Sequence, residues 1–191
     1  MDNQESASVK KPKLGAKVTQ VATLYHPRTW KEKGLWWTLG LFLVTYFVIV
    51  AVLGFIWSSS PGKFDAREIA LVEFAKNDQK KLVPGYVTTA TAIRIAETLL
   101  DKPGGYLSND VTPPGIYLDN IPNWEFGVLA ELRDLTRSMR NDFSRSQSQS
   151  VEDKDLQIAD PQFNYDSESW ILPSTESEYR KGVDALYRYL E

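Results

Sequence analysis

From Gly34 to Trp57 the chain reads GLWWTLGLFLVTYFVIVAVLGFIW, without a single charged residue. No other feature limits the fold as much. A helix of that length rises about 36 Å at about 1.5 Å per residue. The hydrocarbon core of a bilayer is about 30 Å thick, so the segment spans it with some tilt. Trp36 and Trp37 stand at one end and Trp57 at the other. Indole rings favour the headgroup zone, so all three are expected at the membrane interfaces. Ser58, Ser59, Ser60, Pro61 and Gly62 then break the helix.

Two other readings compete with an anchor. A cleaved signal peptide has an apolar region of about 7–15 residues close to the start. Here the apolar run is longer, follows a long tail and has no clear small-x-small cleavage site after it. A buried core helix is the other reading, but so long an uninterrupted apolar run is rare in a small soluble domain. Gly40 and Gly54 do not make a small-xxx-small pair, so nothing specific favours dimerisation through the anchor.

The flanks set the expected orientation. Arg28, Lys31 and Lys33 precede the span, with Lys10, Lys11, Lys13 and Lys17 behind them, whereas Lys63 and Arg67 follow it. Positive charge near a span favours the cytoplasmic side. The tail is thus expected in the cytoplasm and the remainder beyond the membrane; in a Gram-negative cell that means the periplasm. The KKPK run at 10–13 reads as a topology signal on a largely disordered tail, with contact to anionic headgroups as the alternative. The expected organisation is a basic tail over 1–33, a transmembrane helix over 34–57, a linker over 58–64 and a helical domain over 65–191.

Net charge is −3 over 191 residues, which argues against a general nucleic-acid binder. There is no cysteine, so neither a disulfide framework nor a thiolate metal site exists.

Beyond the linker, periodicity predicts helices and no strands. Phe64 to Lys81 reads as a first helix capped by Asp65 and ended by Pro84-Gly85. Thr88 to Asp101 reads as a second, with Ile93, Ala96, Leu99 and Leu100 on one face and Pro103-Gly104-Gly105 as its stop. Residues 102–122 are rich in proline and glycine yet carry Tyr106, Leu107, Val111, Ile116, Tyr117, Leu118 and Ile121. A disordered linker rarely holds that many apolar groups, so an ordered loop packed on the helices is expected. Asn123 is the expected cap of a helix from Trp124 to about Ser146, with Val128, Leu132, Leu135, Met139 and Phe143 as its stripe. Glu125 then falls in a first turn, where it suits the helix dipole. Glu152 to Ala159 reads as a short helix before Pro161, and a last helix opens at Ser174 or Thr175. That helix reaches Glu191 with no glycine or polar tail, so the chain is expected to be part of a longer one. The fold class is all-α: one transmembrane helix, then a small helical domain with one long Pro/Gly-rich loop.

The stretch AETLLDKPGGYLSNDVTPPGIYLDNIPNWEFGVL (96–129), followed by RNDFSRSQSQSVEDKDL (140–156), resembles an uncharacterised family of proteobacterial inner-membrane proteins, domain of unknown function 2333. The likeness extends over residues 30–191. It implies a single anchor, a largely helical periplasmic region and a longer full-length chain. It implies no activity and no site residues.

The residues offer little chemistry. His26 is the sole histidine and lies on the tail side of the span, so His-dependent nucleophilic catalysis has no base in the domain and zinc would need carboxylates alone. Asp153, Asp155 and Asp160 lack the glycine and terminal Glu of a calcium loop. No phosphate-binding or dinucleotide pattern is present, and no cofactor or metal is expected. Glu97 and Asp101 stand four apart on one helix and form the one candidate carboxylate pair, suited to a cell-wall hydrolase. Contact is the other option. Tyr106, Tyr117 and Trp124 are of the type that anchors interfaces, and Arg133, Arg137 and Arg140 share a helix face that could meet an anionic partner. The bland readings are core aromatics and a solvated charged face. The function expected is a non-enzymatic envelope module that contacts the lipid bilayer and an envelope-protein or cell-wall partner; the alternative is a peptidoglycan hydrolase.

Overall fold

The computed structural model describes residues 21–143 and 152–191, and the KKPK run lies outside them. The chain divides into two compact units, one ending at Ile49 and the other running from Val50 to Glu191, and the division falls inside the apolar helix.

The first unit opens with α1, Pro27–Lys33. Proline at its first position suits a site where no N–H partner exists. His26 caps it through Nδ1, which accepts from the Arg28 N–H at 3.2 Å. Gly34 ends it at φ 85°, a conformation that disfavours any side chain. α2 follows at once, Leu35–Trp57, and is long and apolar enough to cross a membrane. Tyr25 and Trp30 pack edge-on against Phe42, with ring centroids 6.2 and 5.4 Å apart. Trp36 is exposed and Trp37 half-buried.

In the second unit a short helix, α3 (Ala66–Ile69), starts at Asp65, whose carboxylate accepts from the N–H groups of Arg67 and Glu68. It widens into a π turn over Ala70–Phe74 and stops well before Lys81, because Lys76 and Asn77 adopt positive φ. A separate 3-10 turn covers Gln79–Lys81. Pro84 does not end a helix. It opens α4, Pro84–Asp101, at the one helical position where proline costs nothing. α5 covers Asn120–Ser138, with a π turn to Phe143, and begins three residues before the expected cap Asn123 because Pro122 fits its first turn. α6 covers Leu156–Phe163 and holds Pro161 inside it, not after it. α7 covers Thr175–Leu190, capped by Ser174.

Helices α4 to α7 form the body: α4 packs on α5 and α7, and α6 on α5 and α7, closing a four-helix ring with α3 laid on α4. Among the described residues there is no strand, and the domain is all-α. Ile93, Ala96, Leu99, Leu129, Leu132, Leu156, Phe163, Tyr179 and Leu186 fill the centre. α6 and α7 approach closely because Gly182 faces Phe163; a Cβ there would lie 3.0 Å from the ring.

The buried stripe of α5 differs from the expected one. Ile121, Glu125, Leu129, Leu132 and Thr136 face inward, whereas Val128 and Leu135 are only half-buried. Glu125 is therefore a fully buried carboxylate, not an exposed first-turn acid.

Candidate functional site

The end of the bundle where α4 stops and α5 starts is organised by a buried ion pair. Lys102 caps α4, and its Nζ donates to the carbonyls of Leu99 and Gly105 at 2.9 and 2.5 Å and to Glu125 Oε1. Glu125 also accepts from the N–H groups of Leu107 (2.9 Å) and Ser108 (2.8 Å) and from the Ser108 hydroxyl (2.5 Å). Burial lowers the Lys102 pKa, and the Glu125 carboxylate opposes that shift. The Trp124 ring lies 5.9 Å from the same ammonium. Full hydrogen bonding is what makes such a buried pair tolerable. The pair sits 23 positions apart in sequence and ties the start of the 102–122 segment to α5.

The same segment grips the last turns of α2. Gly104, at φ 92°, lies under the Trp57 indole, and a Cβ there would be 2.8 Å from the ring. Ser58 and Asn120 exchange two hydrogen bonds, Ser58 Oγ to Asn120 Oδ1 at 3.1 Å and Asn120 Nδ2 to the Ser58 carbonyl at 3.2 Å. Gly54 lies against Pro114 and Leu118. Further along, Asn109 donates to the Ser169 carbonyl and to Glu176 Oε2 at 3.0 and 3.1 Å, joining the segment to the turn before α7. Asp110 packs over Gly115, where no side chain fits. Burial raises the Asp110 pKa, helped by the carboxylates of Glu176 and Glu125.

The three aromatic candidates separate. Tyr106 is buried, edge-on to Tyr179 at 5.7 Å, and burial raises its pKa. Tyr117 is 75% exposed. Trp124 is half-buried and lines an apolar groove of 690 Å³ with Ile95, Gly127, Val128, Leu132 and Leu135. Val128 and Leu135, which periodicity assigns to the core, pack against its edge and also line this surface groove.

Arg133 and Arg140 turn inward upon the domain. Arg133 donates to the carbonyls of Phe163 and Tyr165 at 2.7 and 2.9 Å and to the Tyr179 hydroxyl at 3.2 Å, so it closes the carbonyl-rich C-terminal end of α6. Arg140 bonds Glu152 and Asp160 at 3.1 and 3.0 Å. Arg137 is more exposed and meets Asp134 at 3.6 Å and Asn164 at 3.3 Å. The acids considered for calcium are dispersed: Asp155 pairs with Arg188 and Asp160 with Arg140, while Asp153 accepts from the N–H groups of Asp155 and Leu156.

Glu97 and Asp101 share a polar cleft of 540 Å³ with Pro61, Phe64, Arg94 and Thr98. Each already holds a partner. Glu97 accepts from the Tyr187 hydroxyl at 2.6 Å and Asp101 from Arg180 at 2.6 Å. Burial and the Glu97 carboxylate push Tyr187 up to about 12. Both acids stand on one wall, one helical turn apart, whereas glycoside hydrolysis needs carboxyls on opposite sides of the scissile bond.

The Lys102–Glu125 pair escapes a reading by periodicity. Its one sequence trace is the i, i+4 series Ile121–Glu125–Leu129, in which the acid keeps step with buried aliphatics.

Residues 30–191 match a family described as an uncharacterised protein conserved in bacteria, domain of unknown function 2333. No curated protein and no solved structure matches the chain.

Proposed function

The chain belongs to this bacterial family, and from that premise we propose that it is a single-pass inner-membrane protein whose basic tail is cytoplasmic and whose helical domain is a periplasmic, non-enzymatic interaction module. The carrying observation is the mount between Val50–Trp57 and the domain. Trp57 on Gly104 and the Ser58–Asn120 bonds leave no slack between the end of the apolar helix and the bundle. A module held in one pose suits presentation of a surface to a partner in the envelope. The groove lined by Trp124, Val128 and Leu135 is the surface this reading favours. Apolar grooves edged by an aromatic are recurrent docking sites.

A photo-crosslinking residue at Val128, in the full chain expressed in its own membrane, tests this. A reproducible adduct of defined mass, lost on Leu135→Glu, is expected. Crosslinking only to bulk lipid, or to nothing, overturns the reading.

The hydrolase reading keeps one observation in its favour, that Glu97 and Asp101 line a single cleft. Purified peptidoglycan separates the two readings. Release of fragments by the wild-type chain, abolished in Glu97→Gln/Asp101→Asn, would establish the hydrolase. Wild-type inertness is the outcome expected.

A further inference from the structure

Where the 102–122 segment passes the end of α2, it carries an uncharged apolar run. From Val111 to Leu118 the chain reads VTPPGIYL, bounded by Asp110 and Asp119. Ile116 is 56% exposed and Tyr117 75%, and Val111 is exposed in the same loop. Exposed apolar side chains scattered singly need no account, but these three share one short loop whose other face is fixed. Pro114 and Gly115 are buried, Asp110 covers Gly115, and Pro114 and Leu118 lie against Gly54.

Gly54 sets the depth. It lies one turn before Trp57, about 4.5 Å deeper along the helix at about 1.5 Å per residue. With Trp57 at the headgroup level, a loop touching Gly54 stands at the boundary between headgroups and acyl chains. There an amphipathic tyrosine is favoured, apolar side chains gain by leaving water, and the carboxylates of Asp110 and Asp119 stop the loop from sinking further.

We propose that the Val111–Leu118 loop is a membrane seat: Ile116 and Tyr117 insert into the interfacial layer of the bilayer that α2 spans, giving the domain a second contact with the lipid beside its anchor. The proposal rests on the reading of α2 as a transmembrane helix. Its consequence is a restrained tilt of the domain, since tilting the helix and the domain mounted on it would lift Ile116 and Tyr117 out of the interface or drive Asp110 and Asp119 into it.

The absence of cysteine makes the test direct. Full-length protein carrying single substitutions Tyr117→Cys, Ile116→Cys, Val48→Cys or Glu131→Cys is spin-labelled and reconstituted in vesicles of phosphatidylethanolamine and phosphatidylglycerol. Collision with oxygen, which partitions into lipid, is compared with collision with a water-soluble nickel chelate. Glu131 is exposed and lies about 16 Å along α5 from Asn120, the residue that bonds Ser58, so it serves as the aqueous reference. Val48 reports the span itself. Labels at 116 and 117 are expected to lose nickel collisions and gain oxygen collisions relative to 131, at a depth shallower than 48. Labels at 116 and 117 as accessible to nickel as 131, with 48 still deep, overturn the seat and leave the span intact. A label at 48 as accessible as 131 overturns both.

Discussion

Lys102 Nζ and the Glu125 carboxylate form an ion pair with almost no water around either partner; Lys102 is 6% exposed and Glu125 0%. A pair like this holds together by completeness. The ammonium has three acceptors, and the carboxylate receives two backbone N–H groups and a hydroxyl besides the lysine. Removing one partner leaves the other charge buried without compensation.

Lys102→Met is accordingly expected to destabilise the domain by about 3–5 kcal/mol. Lys102→Met combined with Glu125→Leu should cost less than the two single changes together, because no lone charge remains. It should not return to wild type, since the N–H groups of Leu107 and Ser108 lose their acceptor. Urea unfolding of the four proteins, followed by far-ultraviolet circular dichroism, gives the coupling. A strictly additive double variant would contradict the account.

Asp110 gives a pH-dependent counterpart. Its pKa is raised chiefly by burial and further by the carboxylates of Glu176 and Glu125. A carboxyl whose folded pKa lies above its unfolded value binds more protons folded than unfolded within that interval. Stability from this group is therefore lost as pH rises from the unfolded value through the folded one. Asp110→Asn keeps the shape and removes the charge, so it should be more stable than wild type at neutral pH. Its advantage should shrink as pH falls below the folded pKa. Thermal midpoints of both proteins across the acid range check this, and the difference between them isolates Asp110 from the other carboxylates.

Two of the expected caps carried through, whereas the cap assigned to Asn123 and the long-range contacts did not. Asp65 and Ser174 cap their helices as side chains of that type do, because a cap bonds only to N–H groups two or three residues on. Pro84-Gly85 was ambiguous in principle: proline at a first helical position and proline after a last one look alike until the neighbouring turn is known, and the positive φ of Lys76 and Asn77 decided it. The face of α5 shifted for a different reason. Periodicity weighs Glu125 against burial, and only the lysine and the two amides brought by the 102–108 segment reverse that cost. Val128 and Leu135 end half-buried at the edge of the core for the same reason. The Glu97/Asp101 pair was legible as neighbours on one face, but Tyr187 and Arg180, which occupy them, come from a helix 90 and 79 residues away.

Gly104 tests the mount. It combines φ 92° with an indole 2.8 Å from where a Cβ would stand. Gly104→Ala should both strain the backbone and push Trp57 aside, at a cost of about 1–3 kcal/mol. The local consequence is more telling than the global one. With Trp57 displaced, the linker around Ser58–Pro61 loses its hold, and limited proteolysis should cut there sooner than in wild type. Trp57→Ala should open the same site without the backbone strain. Equal cutting rates in all three would show that Trp57 does not hold the linker to the bundle.

The orientation proposed for α2 rests on charge. Arg28, Lys31 and Lys33 crowd the approach to α2, and Lys63 and Arg67 follow it at greater spacing. Translocating the first group would carry three cations and the basic tail across the membrane, so retention of the tail is favoured. An alkaline phosphatase fused after Glu191 should be active, because that enzyme folds only outside the cytoplasm, and the same fusion at Ala22 should be inactive. Substituting Arg28, Lys31 and Lys33 by glutamine should erode the difference by weakening the retained flank. The inverse pattern, with activity at Ala22 and none at Glu191, would put the helical domain in the cytoplasm and move the Val111–Leu118 loop to the inner leaflet.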